Sequence, residues 1–157
     1  MYMSIETIRQ VATMSPEETE SLAEKIGANL QGGEVIELVS DLGGGKTTFT
    51  RGLVRGAGSK DKVGSPTFTI NREYIAPHFT IVHFDFYRLT EAGIVANELA
   101  EVVGDTGYVV VVEWGEIVHD VLPNDRLTVQ LLLAAEEGRD IHLSFPDTLA
   151  YLVQGVQ

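Results

Sequence analysis

The chain contains no cysteine, so it forms neither disulfides nor thiolate metal sites. It has no apolar run close to the roughly 20 residues that a membrane-spanning helix needs; the longest candidates are Tyr108–Val112 and Leu131–Ala135. The first residues also lack a basic segment followed by an apolar one, which is the pattern of a secretory signal. From these absences we expect a cytoplasmic protein that does not contact a membrane.

Basic residues are scarce in this chain. Its 157 residues include 11 Lys and Arg against 23 Asp and Glu, which gives a formal net charge of −12. Nucleic-acid binding depends largely on basic side chains that neutralise phosphates, and no basic stripe interleaved with aromatic residues is present. The composition therefore argues against direct binding of DNA or tRNA. Because 44% of the residues are hydrophobic, we expect one folded domain over residues 1–157.

Strand-like and helix-like segments alternate along the chain, which indicates an α/β protein. Ser15-Pro16-Glu17-Glu18 has the pattern of a helix start, with Ser15 as the N-cap and Glu18 completing a capping box. Glu34–Val39 and the β-branched run Tyr108–Val112 predict strands of a mostly parallel central sheet. Antiparallel hairpins and further helices complete the prediction: strands Thr67–Ile75, Thr80–Tyr87, Arg126–Ala134 and Arg139–Phe145, and helices Lys46–Arg55, Thr90–Val103, Gly115–Val121 and Pro146–Val153.

The segment Ser40-Asp41-Leu42-Gly43-Gly44-Gly45-Lys46-Thr47-Thr48 lies between a predicted strand and a predicted helix. This is the context of a phosphate-binding P-loop, in which backbone N–H groups surround the phosphates of a nucleotide. Lys46 is placed to reach the β- and γ-phosphates, and the Thr47 hydroxyl is placed to bind Mg²⁺. Ser40 stands where the motif G-x-x-x-x-G-K-[ST] has its first glycine. Since serine is small and three glycines follow, we expect the loop to form.

Two acidic residues end predicted strands, where a P-loop ATPase holds Mg²⁺ or orients water. Glu113 directly follows the apolar run Val109–Val112, and a charge beside so apolar a strand is costly without a partner. A functional role is therefore favoured for Glu113 over that of a solvated strand-end acid. Asp85 ends Ile81-Val82-His83-Phe84-Asp85, and the two interpretations are evenly balanced for it.

Other side chains allow two interpretations each. Ser65-Pro66-Thr67-Phe68-Thr69 is either a switch loop that offers the Thr67 hydroxyl or a proline turn that opens a strand. His83 shares a strand face with Asp85, which favours a structural histidine that orients Asp85 or packs beside Tyr87 over a metal ligand. Trp114 is either a core residue or a residue that senses nucleotide binding. Arg139 is either solvated or in contact with phosphate or a partner.

Taken together, several motifs closely resemble the TsaE (YjeE) family over nearly the whole chain. The motifs are the P-loop segment, Ser65-Pro66-Thr67-Phe68-Thr69, His83-Phe84-Asp85-Phe86-Tyr87-Arg88-Leu89, Val112-Glu113-Trp114 and Glu137-Gly138-Arg139-Asp140. The resemblance implies a P-loop NTPase fold and Mg²⁺-dependent ATP hydrolysis. It also implies action with TsaB and TsaD in the threonylcarbamoylation of adenosine 37 of tRNA, where TsaD performs the transfer and the TsaE-like subunit uses ATP to reset the complex.

The resemblance also implies roles for individual residues. Lys46 would hold phosphate and act in catalysis, Thr47 and Glu113 would lie at Mg²⁺, and Asp85 would lie at the metal or its water. The nucleotide-binding set implied by the resemblance is Thr19, Asp41, Leu42, Gly43, Gly44, Gly45, Lys46, Thr47, Thr48, Thr67 and Arg139. The helix start from Pro16 to Thr19 would lie against the adenine. The tRNA would be bound by the partner proteins, which fits the acidity of this chain.

Two other functions share the same motifs. A small-molecule or nucleotide kinase has an acceptor pocket and usually a lid with arginines that clamp the transferred phosphoryl group. The six arginines that follow the loop are not clustered in such a segment: Arg51, Arg55, Arg72, Arg88, Arg126 and Arg139. A nucleotide-binding module without turnover is disfavoured by Lys46, Thr47 and the two strand-end acids.

Overall fold

The computed structural model describes residues 6–41, 43–64 and 71–156. Over these residues it has seven strands, three α-helices and two 3₁₀ helices. In chain order they are β1 (Glu6–Thr13), α1 (Pro16–Ala28), β2 (Val35–Val39), α2 (Lys46–Gly56), β3 (Asn71–Ile75), β4 (Thr80–Asp85), α3 (Gly93–Val102), β5 (Tyr108–Glu113), the 3₁₀ helix Gly115–Val118, β6 (Leu127–Leu133), β7 (Arg139–Pro146) and the 3₁₀ helix Asp147–Val153.

All seven strands form one mixed sheet in the order β1-β7-β6-β2-β5-β4-β3. The central strands β6, β2, β5 and β4 are parallel to one another. The outer pairs β3–β4, β6–β7 and β1–β7 are antiparallel. This arrangement confirms the predicted α/β fold with a parallel centre and two hairpins. The carboxyl ends of β2, β4 and β5 meet at one edge, where open α/β sheets bind ligands.

The central strand β5 is buried on both faces, as its apolar sequence predicts. Val109 and Val111 belong to the core cluster shared with α1 and α2, whereas Val110 and Val112 belong to the cluster shared with α3. The sheet thus carries helices on both faces. The layer formed by α1 and α2 contains the helix that begins directly after the glycine-rich loop, α2.

Two glycines of α2 allow this helix to pack closely against α1. A Cβ built at Gly52 would lie 2.1 Å from the carbonyl oxygen of Glu20, and one at Gly56 would lie 2.0 Å from that of Glu24. Both neighbours are backbone atoms of α1, so any side chain at these positions would separate the helices. This close packing sets the position of α2 and of its N-terminus.

Several predicted elements differ in detail from the structure. The N-cap is confirmed, because Ser15 Oγ accepts a hydrogen bond from the Glu18 N–H, but Glu18 accepts from Met14 N instead of the N-cap N–H. Strand β1 was not predicted. The sequence of the predicted helix Thr90–Val103 puts Ile94 on the same apolar side as Val95, Leu99 and Val102, but Ile94 is 77% exposed in α3. The two C-terminal helical segments are 3₁₀ helices, and residues 67–70 of one predicted strand lie outside the described residues. Within the described part of the chain, no helix is long and apolar enough to cross a membrane.

Candidate nucleotide site

The glycine-rich loop joins the end of β2 to the first residue of α2. Gly43 and Gly45 have φ values of 76° and 102°, in the left-handed region that favours glycine. Gly44 is packed against the start of the loop, since a Cβ there would lie 2.3 Å from Ser40 Oγ. The Ser40 hydroxyl donates a hydrogen bond to the Asp41 carbonyl oxygen over 2.8 Å. Serine in place of the motif glycine therefore fills the turn, and the loop forms as predicted.

Lys46, the first residue of α2, points back into the turn and is only 8% exposed. Its Nζ donates a hydrogen bond to the Ser40 carbonyl oxygen over 3.2 Å and lies 3.9 Å from Glu113 Oε1. The same Nζ lies 4.4 Å from the centre of the Trp114 ring, within cation–π range. The N–H groups of the first helical turn have no acceptor within the helix and create positive potential there. The loop therefore has the donors that an anionic phosphate chain needs.

Two carboxylates lie at the ends of adjacent parallel strands, because Asp85 of β4 is paired in register with Glu113 of β5. Alternation along β4 places His83 on the same face as Asp85. His83 and Glu113 are 1% and 4% exposed, and His83 Nε2 lies 2.5 Å from Glu113 Oε2. The sequence predicted a structural histidine that orients Asp85 or packs beside Tyr87, but the hydrogen-bond partner of its Nε2 is Glu113. The diagonal neighbour across the β4–β5 pair is the residue that it contacts.

Asp85 is less buried than Glu113. Its Oδ1 accepts a hydrogen bond from the Tyr87 N–H over 3.0 Å. Burial raises the pKa of the Asp85 carboxyl above its usual value, and the charge of Glu113 adds to this effect, whereas the Tyr87 N–H opposes it. Asp85 and Glu113 therefore form a pair of acids at the carboxyl ends of β4 and β5, where their negative charges repel each other.

Arg139, the first residue of β7, reaches the outside of the glycine-rich loop. Its Nε donates to the Gly44 carbonyl oxygen over 2.9 Å, and its Nη1 donates to the Gly138 carbonyl oxygen over 2.8 Å. A small pocket beside this contact is lined by Pro16, Thr19, Gly45, Thr48, Glu137 and Arg139. The Thr19 hydroxyl is already hydrogen-bonded to Thr13 over 2.7 Å. The fold thus brings the start of α1 and the β6–β7 hairpin to the P-loop. Arg139 and Gly44, which are in contact, are 95 residues apart in the chain.

The donor set fits Mg²⁺ bound together with a nucleotide. Among the described residues no group of three or more His, Cys, Asp or Glu side chains is arranged to hold a metal ion by itself. Mg²⁺ in nucleotide sites typically takes only one or two carboxylates, with phosphates and waters supplying the other ligands. Glu113, Asp85 and the half-buried Thr47 supply oxygens of this kind. The site is therefore suited to the complex of Mg²⁺ with a nucleotide.

Most of the residues that the sequence singled out are placed around the loop. Gly44, Gly45, Lys46, Glu113 and Arg139 are linked by the contacts described above, and Asp41 and Gly43 are exposed on the turn. Leu42 and Thr67, with the rest of the proposed switch segment, lie outside the described residues. The contacts that the sequence did not indicate are those of His83 with Glu113 and of Ser40 with Gly44. The alternation of β4 gives the face of His83, but not its partner across the sheet.

Comparison with known proteins agrees with this geometry. The family model for the threonylcarbamoyl adenosine biosynthesis protein TsaE matches residues 13–141. The tRNA threonylcarbamoyladenosine biosynthesis protein TsaE of Bacillus subtilis is 38% identical over 129 residues, which cover 82% of this chain and 80% of that protein. The protein of the same name from Nostoc sp. is 30% identical over 155 residues, covering 96% and 95%. The crystal structure of Bacillus subtilis YdiB superposes with a TM-score of 0.79 at 30% identity, covering 96% of this chain and 94% of that one.

Proposed function

The chain belongs to the TsaE family of threonylcarbamoyl adenosine biosynthesis proteins, and on this premise we propose that it binds and hydrolyses ATP with Mg²⁺ in the synthesis of threonylcarbamoyladenosine in tRNA. The relatives named above carry this pathway in their names. Because tRNA is the molecule that the pathway modifies, the proposed compartment is the cytoplasm.

The observation that supports ATP hydrolysis best is the contact between the P-loop lysine and a buried acid. Lys46 Nζ lies 3.9 Å from Glu113 Oε1, and both side chains are less than 10% exposed. A buried charge pair contributes little to stability, since desolvation offsets much of its attraction. The pair lies at the carboxyl end of β5 beside the glycine-rich loop, and a cation and a carboxylate there support the proposed role in phosphoryl transfer.

The proposed division of labour follows the parts of a P-loop site. Lys46 and the N–H groups of the loop and of the α2 N-terminus hold the phosphates. Thr47, Glu113 and Asp85 are the proposed oxygen ligands of Mg²⁺, which when bound neutralises charge on the phosphate oxygens. Glu113 or Asp85 orients the attacking water. Arg139 supports the loop from outside through the Gly44 carbonyl oxygen.

Proteins like TsaB and TsaD are the proposed partners. With a net charge of −12, this chain repels the phosphates of tRNA, so the proposed contact with tRNA is made by those partners. The chain itself supplies the nucleotide cycle that resets the complex between turnovers. The predicted result is weak ATP hydrolysis by the isolated chain and faster hydrolysis in the presence of the partners.

Phosphate release and co-purification test the proposal together. ATPase rates are measured for the wild type, Lys46→Ala and Glu113→Ala, each alone and with TsaB and TsaD homologues, and nucleotide affinity is measured by calorimetry. Lys46→Ala is expected to abolish productive nucleotide binding, whereas Glu113→Ala is expected to keep binding and lose hydrolysis. Unchanged ATP affinity in Lys46→Ala would contradict the assignment of the loop. Transfer of phosphate to an added small-molecule or nucleotide acceptor would instead identify a kinase.

A further inference from the structure

His83 is among the most deeply buried polar side chains in the described part of the chain. It is 1% exposed, it lies on β4 between β3 and β5, and its Nε2 is 2.5 Å from Glu113 Oε2. The other ring nitrogen, Nδ1, is also buried and has no hydrogen-bond partner among the described residues. A polar ring placed in an apolar sheet with one nitrogen unsatisfied is costly. The cost suggests that the single contact with Glu113 has a function.

The chemistry of the pair defines the direction of the hydrogen bond. A carboxylate only accepts hydrogen bonds, so the ring tautomer that fits this contact has its hydrogen on Nε2 and donates a hydrogen bond to Oε2. The second oxygen of the same carboxylate, Oε1, faces Lys46 Nζ at 3.9 Å. Glu113 is therefore held from two sides, by a ring N–H donor from the neighbouring strand and by a cation from the P-loop. Only the cation is in a position to exchange partners when phosphate arrives.

We propose that His83 is a positioning residue that fixes the carboxylate of Glu113 for the reaction of the P-loop site, an inference that rests on the proposed ATP hydrolysis. When Lys46 turns towards phosphate, the hydrogen bond from His83 remains and keeps Glu113 in one rotamer. A second partner that orients a functional carboxylate typically changes activity by roughly 10- to 100-fold when it is removed. Among the described residues, the hydrogen bond of His83 is with Glu113, so its effect on the site acts through that carboxylate.

Two amide variants separate positioning from packing. Glutamine places its amide nitrogen near the position of His83 Nε2, whereas the shorter asparagine cannot reach Glu113 Oε2. His83→Asn is expected to lower kcat roughly 10- to 100-fold and to change the ATP dissociation constant less than about threefold, because the loop is untouched. His83→Gln is expected to recover most of the loss. His142→Gln is the matched control, since His142 pairs with Asp140 on β7, away from Lys46 and Glu113.

The measurements are steady-state ATP hydrolysis with TsaB and TsaD homologues, calorimetric affinity for ATP with and without Mg²⁺, and thermal melting. A fall in kcat with retained affinity in His83→Asn, recovered in His83→Gln, supports the proposal. Equal kcat in the wild type and both His83 variants would overturn it while leaving ATP hydrolysis intact. Equal losses in His83→Asn and His83→Gln would show that the ring serves packing alone. A wild-type chain that hydrolyses no ATP under any of these conditions would overturn the proposed function and this role together.

Discussion

The packing of Ser40 against Gly44 predicts that an alanine at position 44 weakens ATP binding. An added Cβ would lie 2.3 Å from Ser40 Oγ, 2.7 Å from Ser40 Cβ and 2.9 Å from the Asp41 carbonyl oxygen. Carbon contacts are optimal at about 3.5–4.0 Å, and rotation of the Ser40 hydroxyl relieves only the first of the three. The loop backbone must therefore move, and a displaced backbone no longer directs its N–H groups at one point.

The size of the effect follows from the cost of overpacking, which is about 1–3 kcal/mol. If that cost falls on the nucleotide-bound loop, Gly44→Ala weakens ATP binding roughly 5- to 150-fold. Two of the three short contacts come from the Ser40 side chain. Adding Ser40→Gly should therefore recover about 1 kcal/mol or more of the lost affinity, which appears as a coupling energy in a double-mutant cycle.

Calorimetric ATP titration of the wild type, the two single variants and the double variant measures this coupling. Gly43→Ala is the matched control, because its Cβ would meet nothing within 4 Å while its φ of +76° still costs about 1–2 kcal/mol. Ser40→Gly should not rescue that variant. Additive effects of Ser40→Gly and Gly44→Ala, or equal rescue of the Gly43 variant, would refute the reasoning.

Three further predictions concern charge and packing around the loop. Asp85→Asn should raise the melting temperature at pH 7, because the raised pKa of Asp85 means that folding favours its protonated form and that the wild type loses stability as pH rises through this pKa. The gain in melting temperature should shrink as pH falls towards and below 3.8, the ordinary pKa of the carboxyl. A gain that is the same at every pH in thermal melts would contradict the raised pKa of Asp85. Arg139→Lys should weaken ATP binding about tenfold in calorimetry, since one ammonium cannot replace the separate donors to Gly44 and Gly138; unchanged affinity would show that the loop does not need this support. Gly52→Ala should lower the free energy of unfolding in urea by about 2 kcal/mol or more, because its Cβ meets a backbone oxygen of α1 at 2.1 Å, and wild-type stability would refute this close packing.

The central part of the fold was predictable because local patterns and burial agree there. The β-branched run of β5 is buried on both faces, and α2 begins at Lys46 as the glycine-rich loop predicts. Strand β1 was missed because only Val11 and Thr13 of its eight residues are buried, so it lacks a regular apolar alternation. It is an edge strand held by backbone pairing with β7. Such pairing depends on a strand more than 120 residues away and leaves no local signal.

The helical period also predicted too wide an apolar face for α3. Val95 and Leu99, four residues apart, pack on the sheet, whereas Ile94 is exposed. Adjacent helical residues point in directions about 100° apart. A helix of ten residues that touches the sheet along one narrow line buries only one of two such neighbours. The sequence shows which residues are apolar, but the width of the contact is set by the sheet.

The parts of the candidate site that depend on the order of residues along the chain were predictable. The parts that depend on the pairing register of neighbouring strands were not. Lys46 follows the glycines directly, and Glu113 ends the most apolar strand, so both were identified from the sequence. The contact of His83 with Glu113 requires Asp85 to be paired with Glu113, because this register places His83 one step back on the same face. A shift of one residue would turn His83 to the α3 face. Strand register is a tertiary property that neither strand specifies alone.

The charge distribution is compatible with the proposed binding of an anionic nucleotide by so acidic a chain. A net charge of −12 opposes the approach of ATP from a distance. Exposed charges are largely screened beyond about 8 Å at physiological ionic strength, whereas buried charges are screened much less. Lys46 is buried in the loop, Arg139 binds its outer carbonyl oxygens, and the N-terminus of α2 adds positive potential at the same point. We therefore expect the local field at the loop to govern the proposed nucleotide binding, and the distant acidic surface to repel other anionic macromolecules.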